Sequence, residues 1–227
     1  MKRMKKKLTL KFIQSVALGM IAFLSTHSAF AQCYDLSLYR MALPLAENIN
    51  PKVLELAINA YSTARKKGLD HKGILTIVDY SLPSSKKRMW VLNLNDLQLI
   101  HYSLVTHGSG SGLLYARHFS NTPESYESSL GLYLTKKSYD GQVGHALRLQ
   151  GLEPGFNDNA EHRGIVVHAA EYADENFIDQ YGRLGRSEGC FALPVASSKN
   201  IISSIEDGTL IFAYYPDQHW LKQSHYL

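Results

Sequence analysis

Cysteine is almost absent. Only Cys33 and Cys190 occur in 227 residues, so neither a disulfide framework nor a thiolate cluster can organise the fold, and a chain of this length needs neither. The two thiols could pair once in an oxidising compartment, but they are chemically unequal: Cys33 falls in an N-terminal tail, whereas Cys190 follows Gly189 in a polar stretch. Past residue 31 there is no apolar run of the roughly 20 residues that a membrane span requires. There is no HExxH and no compact His/Asp spacing, although nine of the ten histidines lie beyond residue 31. A zinc-dependent peptidase or amidase is therefore a minor alternative without a legible ligand set. Internal repeats, heptads and low-complexity segments are missing too. Ser109, Ser111 and Ser129 lack the strand-turn-helix context of a nucleophile elbow.

What is present begins at the N-terminus. Lys2, Arg3, Lys5, Lys6 and Lys7 precede an apolar run interrupted by Lys11, and the run ends at Ala29, Phe30, Ala31. A positive region, a short apolar core and small residues three and one before Gln32 predict a cleaved signal peptide over residues 1–31. That segment holds six of the 24 Lys and Arg and none of the 20 Asp and Glu, so the remainder has 18 basic against 20 acidic residues, a formal charge of −2. The chain's pI near 8.9 is thus largely the property of a targeting segment. It gives no reason to expect nucleic acid or an anionic membrane as a partner.

Asn50 and Pro51 read as an N-cap and first helical residue. Val53, Leu54, Ala57, Ile58, Tyr61 and Ala64 recur at helical spacing, and Gly68 closes the helix. The period then becomes extended, with strands expected at Ile74 to Tyr80, Met89 to Leu94, Leu97 to Val105, Leu130 to Thr135, Ala146 to Leu152, Gly164 to Ala169, Cys190 to Leu193 and Thr209 to Tyr215. Short helices are expected at Ala173 to Tyr181 and Pro194 to Glu206. A long Gly/Ser/Asn/Pro loop covers His107 to Ser129, and loops of that length are more often functional than idle.

The segment GIVVHAAEYADENFIDQYGRLGRSEGCFALP, Gly164 to Pro194, carries the chemistry. A buried-looking strand delivers His168, and a Gly- and Arg-rich loop delivers Cys190 to the start of the next strand. An imidazole beside a thiol can take its proton and yield the nucleophilic thiolate. Gly189 leaves room for a substrate, and the amides of Gly189 and Cys190 are natural donors to an oxyanion. A buried structural cysteine would have apolar neighbours, and Arg186, Ser187 and Glu188 are not apolar.

This segment resembles the murein L,D-transpeptidase catalytic-domain family, whose pattern is a strand-end His, a spacer, Ser or Thr, any residue, Gly, Cys. His168, Ser187, Glu188, Gly189 and Cys190 fill it. The run GRLGRSEGC from Gly182 resembles one branch of the family in particular. So do FSNTPESYESSLGLYLT (Phe119 to Thr135) and LRLQGLEPGFNDNA (Leu147 to Ala160), and the likeness extends over roughly residues 50 to 215. The resemblance implies an α+β, mainly β domain: a mixed β-sandwich or barrel with short helices over residues 71–227, preceded by a helical extension over 32–70. It also implies acyl transfer on peptidoglycan stem peptides without a metal or cofactor. Cys190 would form a thioester, His168 would act as base and then acid, and Ser187 and Arg186 would contact substrate. Such an enzyme would be exported and would act in the periplasm or cell wall.

The departures from the commoner motif are Ala169, Glu188 and Ala192, where Gly, His and Arg are usual. The missing arginine passes the carboxylate contact to Arg183, Arg186 or Arg163, with Arg186 preferred for its place in the loop. A non-catalytic wall-binding protein that keeps the fold is the alternative. His107, followed by Gly108, is expected to line the cleft or shape a turn. Asp140, Glu153 and Glu171 are expected to be solvated carboxylates.

Overall fold

The computed structural model describes residues 36–46 and 48–227. The signal-peptide segment 1–31 and Cys33 lie outside the described residues. Residues 36–40 are helical and belong to one compact unit; residues 41–227 form the other, which holds the whole sheet.

Helix α1, Pro51–Lys66, starts where Asn50 Oδ1 accepts the Lys52 amide and ends before Gly68, whose φ is +73°. Its apolar stripe, Val53, Leu54, Ala57, Ile58, Tyr61 and Ala64, is buried and packs on the first and last strands. Full burial contributes roughly 1.5–3 kcal/mol for each large side chain. The Tyr61 hydroxyl donates to Asp70, which also accepts the Gly73 amide, so the helix is tied to the entry of the first strand.

Eight strands follow: β1 Ile74–Asp79, β2 Met89–Asn93, β3 Gln98–Ser103, β4 Gly131–Gly141, β5 Gly144–Gly151, β6 Val166–Ala169, β7 Phe191–Leu193 and β8 Leu210–Tyr214. They form one mixed sheet in the order β3-β2-β1-β8-β4-β5-β6-β7, a half-barrel of mainly β character, as expected for the L,D-transpeptidase type. β1 pairs with β8 and β6 with β7 in parallel; the other pairs are antiparallel. The central strands explain the continuous apolar runs in the sequence. β8 is buried throughout and β1 nearly so, because both faces of the sheet are covered there.

Helix α2, Glu175–Tyr181, lies on the crossover from β6 to β7; α3, Val195–Ile205, follows β7; α4, Gln218–Gln223, ends the chain. No helix among the described residues is long and apolar enough to cross a membrane.

Glu153 departs from expectation. It is not a solvated carboxylate: it is 1% exposed, accepting the Leu132 amide and the Trp220 indole N–H at 2.9 and 3.0 Å. Burial holds its carboxyl above the ordinary range. It ties α4 to the sheet. Asp140 and Glu171 are exposed.

Candidate active site

The parallel β6–β7 pair sets the geometry. Its register places Val167 opposite Phe191 and His168 opposite Ala192. Side chains two residues apart on a strand share a face, so Cys190, one residue before β7, lies on the His168 face and diagonally across from it. A two-residue rise and one interstrand spacing put the two Cα atoms about 8 Å apart, within the span of an imidazole and a thiol.

His168 is buried, and its Nδ1 lies 2.9 Å from the Ala169 carbonyl oxygen. A carbonyl can only accept, so Nδ1 carries the proton and Nε2 keeps the lone pair of a base.

Cys190 is a free, half-buried thiol that donates to the Gly164 carbonyl at 3.6 Å. Burial pushes its pKa up, the Val166 amide and the Arg163 guanidinium pull it down, and Glu188 pushes it up again. The net shift is upward. A thiol beside an imidazole is expected to be acidic, whereas the resting sulfur here is protonated. A thiol in that state needs a base to take its proton before it can act as a nucleophile.

The loop that carries Cys190 is held by its own hydrogen bonds. Ser187 Oγ donates to the Cys190 carbonyl at 2.7 Å and accepts the Gly189 amide at 3.2 Å. Of the two amides expected to hold an oxyanion, that of Gly189 is turned to Ser187, which leaves Cys190 N–H as the candidate donor. Gly189 has φ +113°, and a Cβ there would sit 2.7 Å from the Glu127 carbonyl oxygen and 3.2 Å from Arg163 Nη2. Gly189→Ala is therefore expected to cost roughly 1–3 kcal/mol of stability and to slow alkylation of Cys190 severalfold. Chemical denaturation and timed iodoacetamide labelling measure the two effects.

Arg186 is tethered through one nitrogen of its fork. Its Nη1 donates to the carbonyls of Ser109 and Gly112, at 3.2 and 3.3 Å. The segments 107–109 and 187 are also paired directly, Ser109 N–H to Ser187 O at 2.7 Å and Ser187 N–H to His107 O at 3.1 Å. His107 shapes this turn. Its Nε2 donates to Gly112 O at 3.3 Å while Nδ1 accepts from Arg88 Nη2 at 2.9 Å. Burial and the Arg88 charge depress its pKa to about 3, so it stays neutral. Arg183 donates to the neighbouring Leu184 carbonyl. Arg163 donates to four acceptors in the 120–129 loop.

Two residues beside the thiol are not marked out by the sequence. Tyr172, in the turn after β6, has its hydroxyl pushed up to about 12, first by burial and then by the charges of Cys190 and Glu188. Its only sequence signal is that of an aromatic residue four positions after His168. Arg163, five residues before His168, is one of three arginines named for the carboxylate contact, of which the sequence reading prefers Arg186. Among the described residues no three His, Cys, Asp or Glu side chains converge as a metal site would require.

Comparison with known proteins gives one family. The L,D-transpeptidase catalytic-domain family matches residues 45–214, which includes α1 and all eight strands. No curated protein matches the chain. Among solved structures, an L,D-transpeptidase from Mycobacterium smegmatis gives a TM-score of 0.41 at 12% identity, covering 63% of this chain and 59% of that one. One from Mycobacterium tuberculosis H37Rv gives 0.37 at 15%, covering 63% and 58%. One from Xylanimonas cellulosilytica gives 0.35 at 14%, covering 79% and 92%. The chain thus spans less than two thirds of the length of either mycobacterial structure.

Proposed function

Because the chain belongs to the L,D-transpeptidase catalytic-domain family, we propose that it transfers acyl groups of peptidoglycan stem peptides through a thioester on Cys190. The observation that carries this reading is the β6–β7 register, His168 opposite Ala192, which supports a common face for His168 and Cys190, together with an Nδ1 contact to a carbonyl that favours a lone pair on Nε2. The Cys190 sulfur attacks the carbonyl of the diamino acid at position three of a tetrapeptide as its proton passes to His168 Nε2. The tetrahedral oxyanion is held by the Cys190 amide. Collapse breaks the bond to the terminal D-alanine, whose nitrogen takes the proton back from His168, and the tripeptide remains on sulfur. An amine of a second stem then displaces the thioester to form a crosslink (L,D-transpeptidase), or water does so to leave a tripeptide (L,D-carboxypeptidase).

Ser187 supports the reading as the residue that shapes the nucleophile turn, and Arg186 as the one that fastens this turn to the 109–112 segment. Neither contact requires a metal or cofactor. Residues 1–31 are a signal peptide in this reading, removed on export to the periplasm or wall; 32–70 form the helical extension and 71–227 the catalytic domain.

The test is incubation with disaccharide tetrapeptide, with protein and products read by mass. The expected result is a tripeptide adduct on the Cys190 peptide together with dimers or tripeptides. Unmodified protein and unchanged substrate would favour a wall-binding protein that keeps the fold.

A further inference from the structure

The sulfur of Cys190 accepts from Val166 N–H of β6 and interacts with Tyr80 at the end of β1, Tyr172 in the turn after β6, Glu188 in its own loop and Arg163 before β6, and the β6–β7 register adds His168 on the same face. Arg163 differs from the rest in what else it holds. Nη1 donates to Ser120 O at 2.7 Å and Ser129 Oγ at 2.5 Å; Nη2 donates to Ser125 Oγ at 3.2 Å and Glu127 O at 2.6 Å. All four acceptors are neutral oxygens. Both Nη groups are thus occupied without a bonded carboxylate to neutralise them; the Glu127 carboxylate acts on the guanidinium through space, and the charge remains available to its surroundings. The same Nη2 lies 3.2 Å from where a Cβ of Gly189 would be, which places the charge against the residue that precedes the nucleophile.

The loop that Arg163 grips is held in an unfavourable shape. Glu124 and Tyr126 have φ of +61° and +55°, two left-handed non-glycine residues within three positions. Such backbone persists only where its surroundings over-determine it. The two acceptors of Nη2, Ser125 and Glu127, flank Tyr126 directly. The Glu127 carbonyl, held in this way, is also the atom that a Cβ on Gly189 would meet first.

We propose that Arg163 is a positioning residue that joins two functions in one side chain: it staples the 119–129 loop over Gly189, and it holds a fixed positive charge beside the Cys190 sulfur. The proposal rests on the reading of Cys190 as nucleophile. When His168 takes the proton, the sulfur becomes an anion in a half-buried place, and Arg163 is the cation positioned to stabilise it. The occupied fork cannot swing away to bind a substrate carboxylate without releasing the loop. This assigns Arg163 to the enzyme's own anion and leaves substrate recognition to other groups.

Two substitutions separate charge from staple. Arg163→Lys keeps the charge and loses the fork, and Arg163→Met loses both. Alkylation of Cys190 by iodoacetamide across pH, located by peptide mapping, reads the thiol. Limited proteolysis within 119–129 reads the loop. Neither assay needs turnover, so they stand apart from the tetrapeptide experiment: a catalytically inert protein could still pass them, and an active one could fail them.

In Arg163→Met the alkylation profile should move to higher pH, with a rate about tenfold lower at a fixed pH below the midpoint, and loop cleavage should rise severalfold. In Arg163→Lys the alkylation profile should stay close to that of the unsubstituted protein while loop cleavage rises as in Met. An unmoved alkylation profile in a folded Arg163→Met, or Lys and Met profiles that coincide, overturns the proposal. If the Met protein shows no cooperative unfolding, Ser125→Ala carries the test through loss of one Nη2 acceptor. Faster loop cleavage with an unchanged thiol profile is expected there, and unchanged cleavage overturns the proposal.

Discussion

Cys190→Ser is expected to lower turnover of disaccharide tetrapeptide by about a thousandfold or more and to change the unfolding midpoint little. A serine hydroxyl is a far weaker acid than a thiol and a poorer nucleophile, so an imidazole with only a backbone carbonyl behind it activates it much less. The side chains are similar in size and the site is half-buried, so packing gives no comparable loss. His168→Gln should cost on the order of 100-fold to 10,000-fold in kcat with a smaller change in KM, because it removes a group needed only as the thiol reacts.

The pH dependence follows from the raised thiol. Its upward shift, caused first by burial, means that alkylation of Cys190 in the absence of substrate should increase up to a midpoint above the ordinary thiol value, without a reactive plateau near neutrality. A preformed thiolate–imidazolium pair would instead alkylate rapidly at pH 6 to 7. Iodoacetamide rates from pH 6 to 10 distinguish the two, and rapid labelling at pH 6 would remove the general-base step from the mechanism.

The parts of this site that are legible in the sequence are those encoded by local pattern. The apolar run into β6, the polar Gly-flanked turn and the spacing from His168 to Cys190 all lie within one crossover, so reading along the chain finds them. Asn50 with Pro51 similarly marks the start of α1, and β-branched runs mark β1 and β8. Elements whose stability comes from elsewhere are not legible in this way. β4 continues through Lys136, Lys137 and Ser138 to Gly141 because it is one arm of a hairpin with β5; its side chains there are polar, so no apolar signal extends with it. Helix α4 has six residues, and its anchor, Trp220 to Glu153, spans 67 positions. Arg88 follows Lys86 and Lys87, which reads as a solvated basic run, yet Arg88 is 0% exposed. Its partners, Leu82, Val105 and His107, can be identified only after β2 and β3 have paired.

Arg88→Met is expected to be the most destabilising single change outside the apolar core, by about 3–5 kcal/mol. The arginine donates to Val105 O through Nε and Nη2, at 3.1 and 3.0 Å, to Leu82 O at 2.9 Å and to His107 Nδ1 at 2.9 Å. It also lies 5.1 Å from the centre of the Tyr80 ring. Replacing a whole buried ion pair by apolar groups can be neutral. Here only the donor leaves; the buried Val105 carbonyl and His107 Nδ1 and the half-buried Leu82 carbonyl lose their partner.

A pH signature identifies the pair. His107 has a folded value near 3 against about 6.5 in the unfolded chain, so between these values the unfolded state binds more protons and stability falls as pH falls. The full window is worth about 5 kcal/mol. Asp79 and Glu153, whose carboxyls are raised by burial, act with the opposite sign and flatten the curve at its acidic end. Without Arg88 the second-largest cause of the His107 depression is gone while burial remains. The window should therefore narrow, and the variant, less stable at pH 7, should lose less on going to pH 4. Urea unfolding from pH 4 to 7 measures this, and parallel curves for the two proteins would sink it. The consequence for catalysis runs through Gly112, whose carbonyl accepts from both His107 and Arg186. Once Arg88 is lost, His107 no longer holds Gly112 O firmly, Arg186 loses a fixed acceptor, and the Ser187 to Cys190 turn loosens against the 107–112 segment. Turnover should fall with stability even though Arg88 is remote from the sulfur.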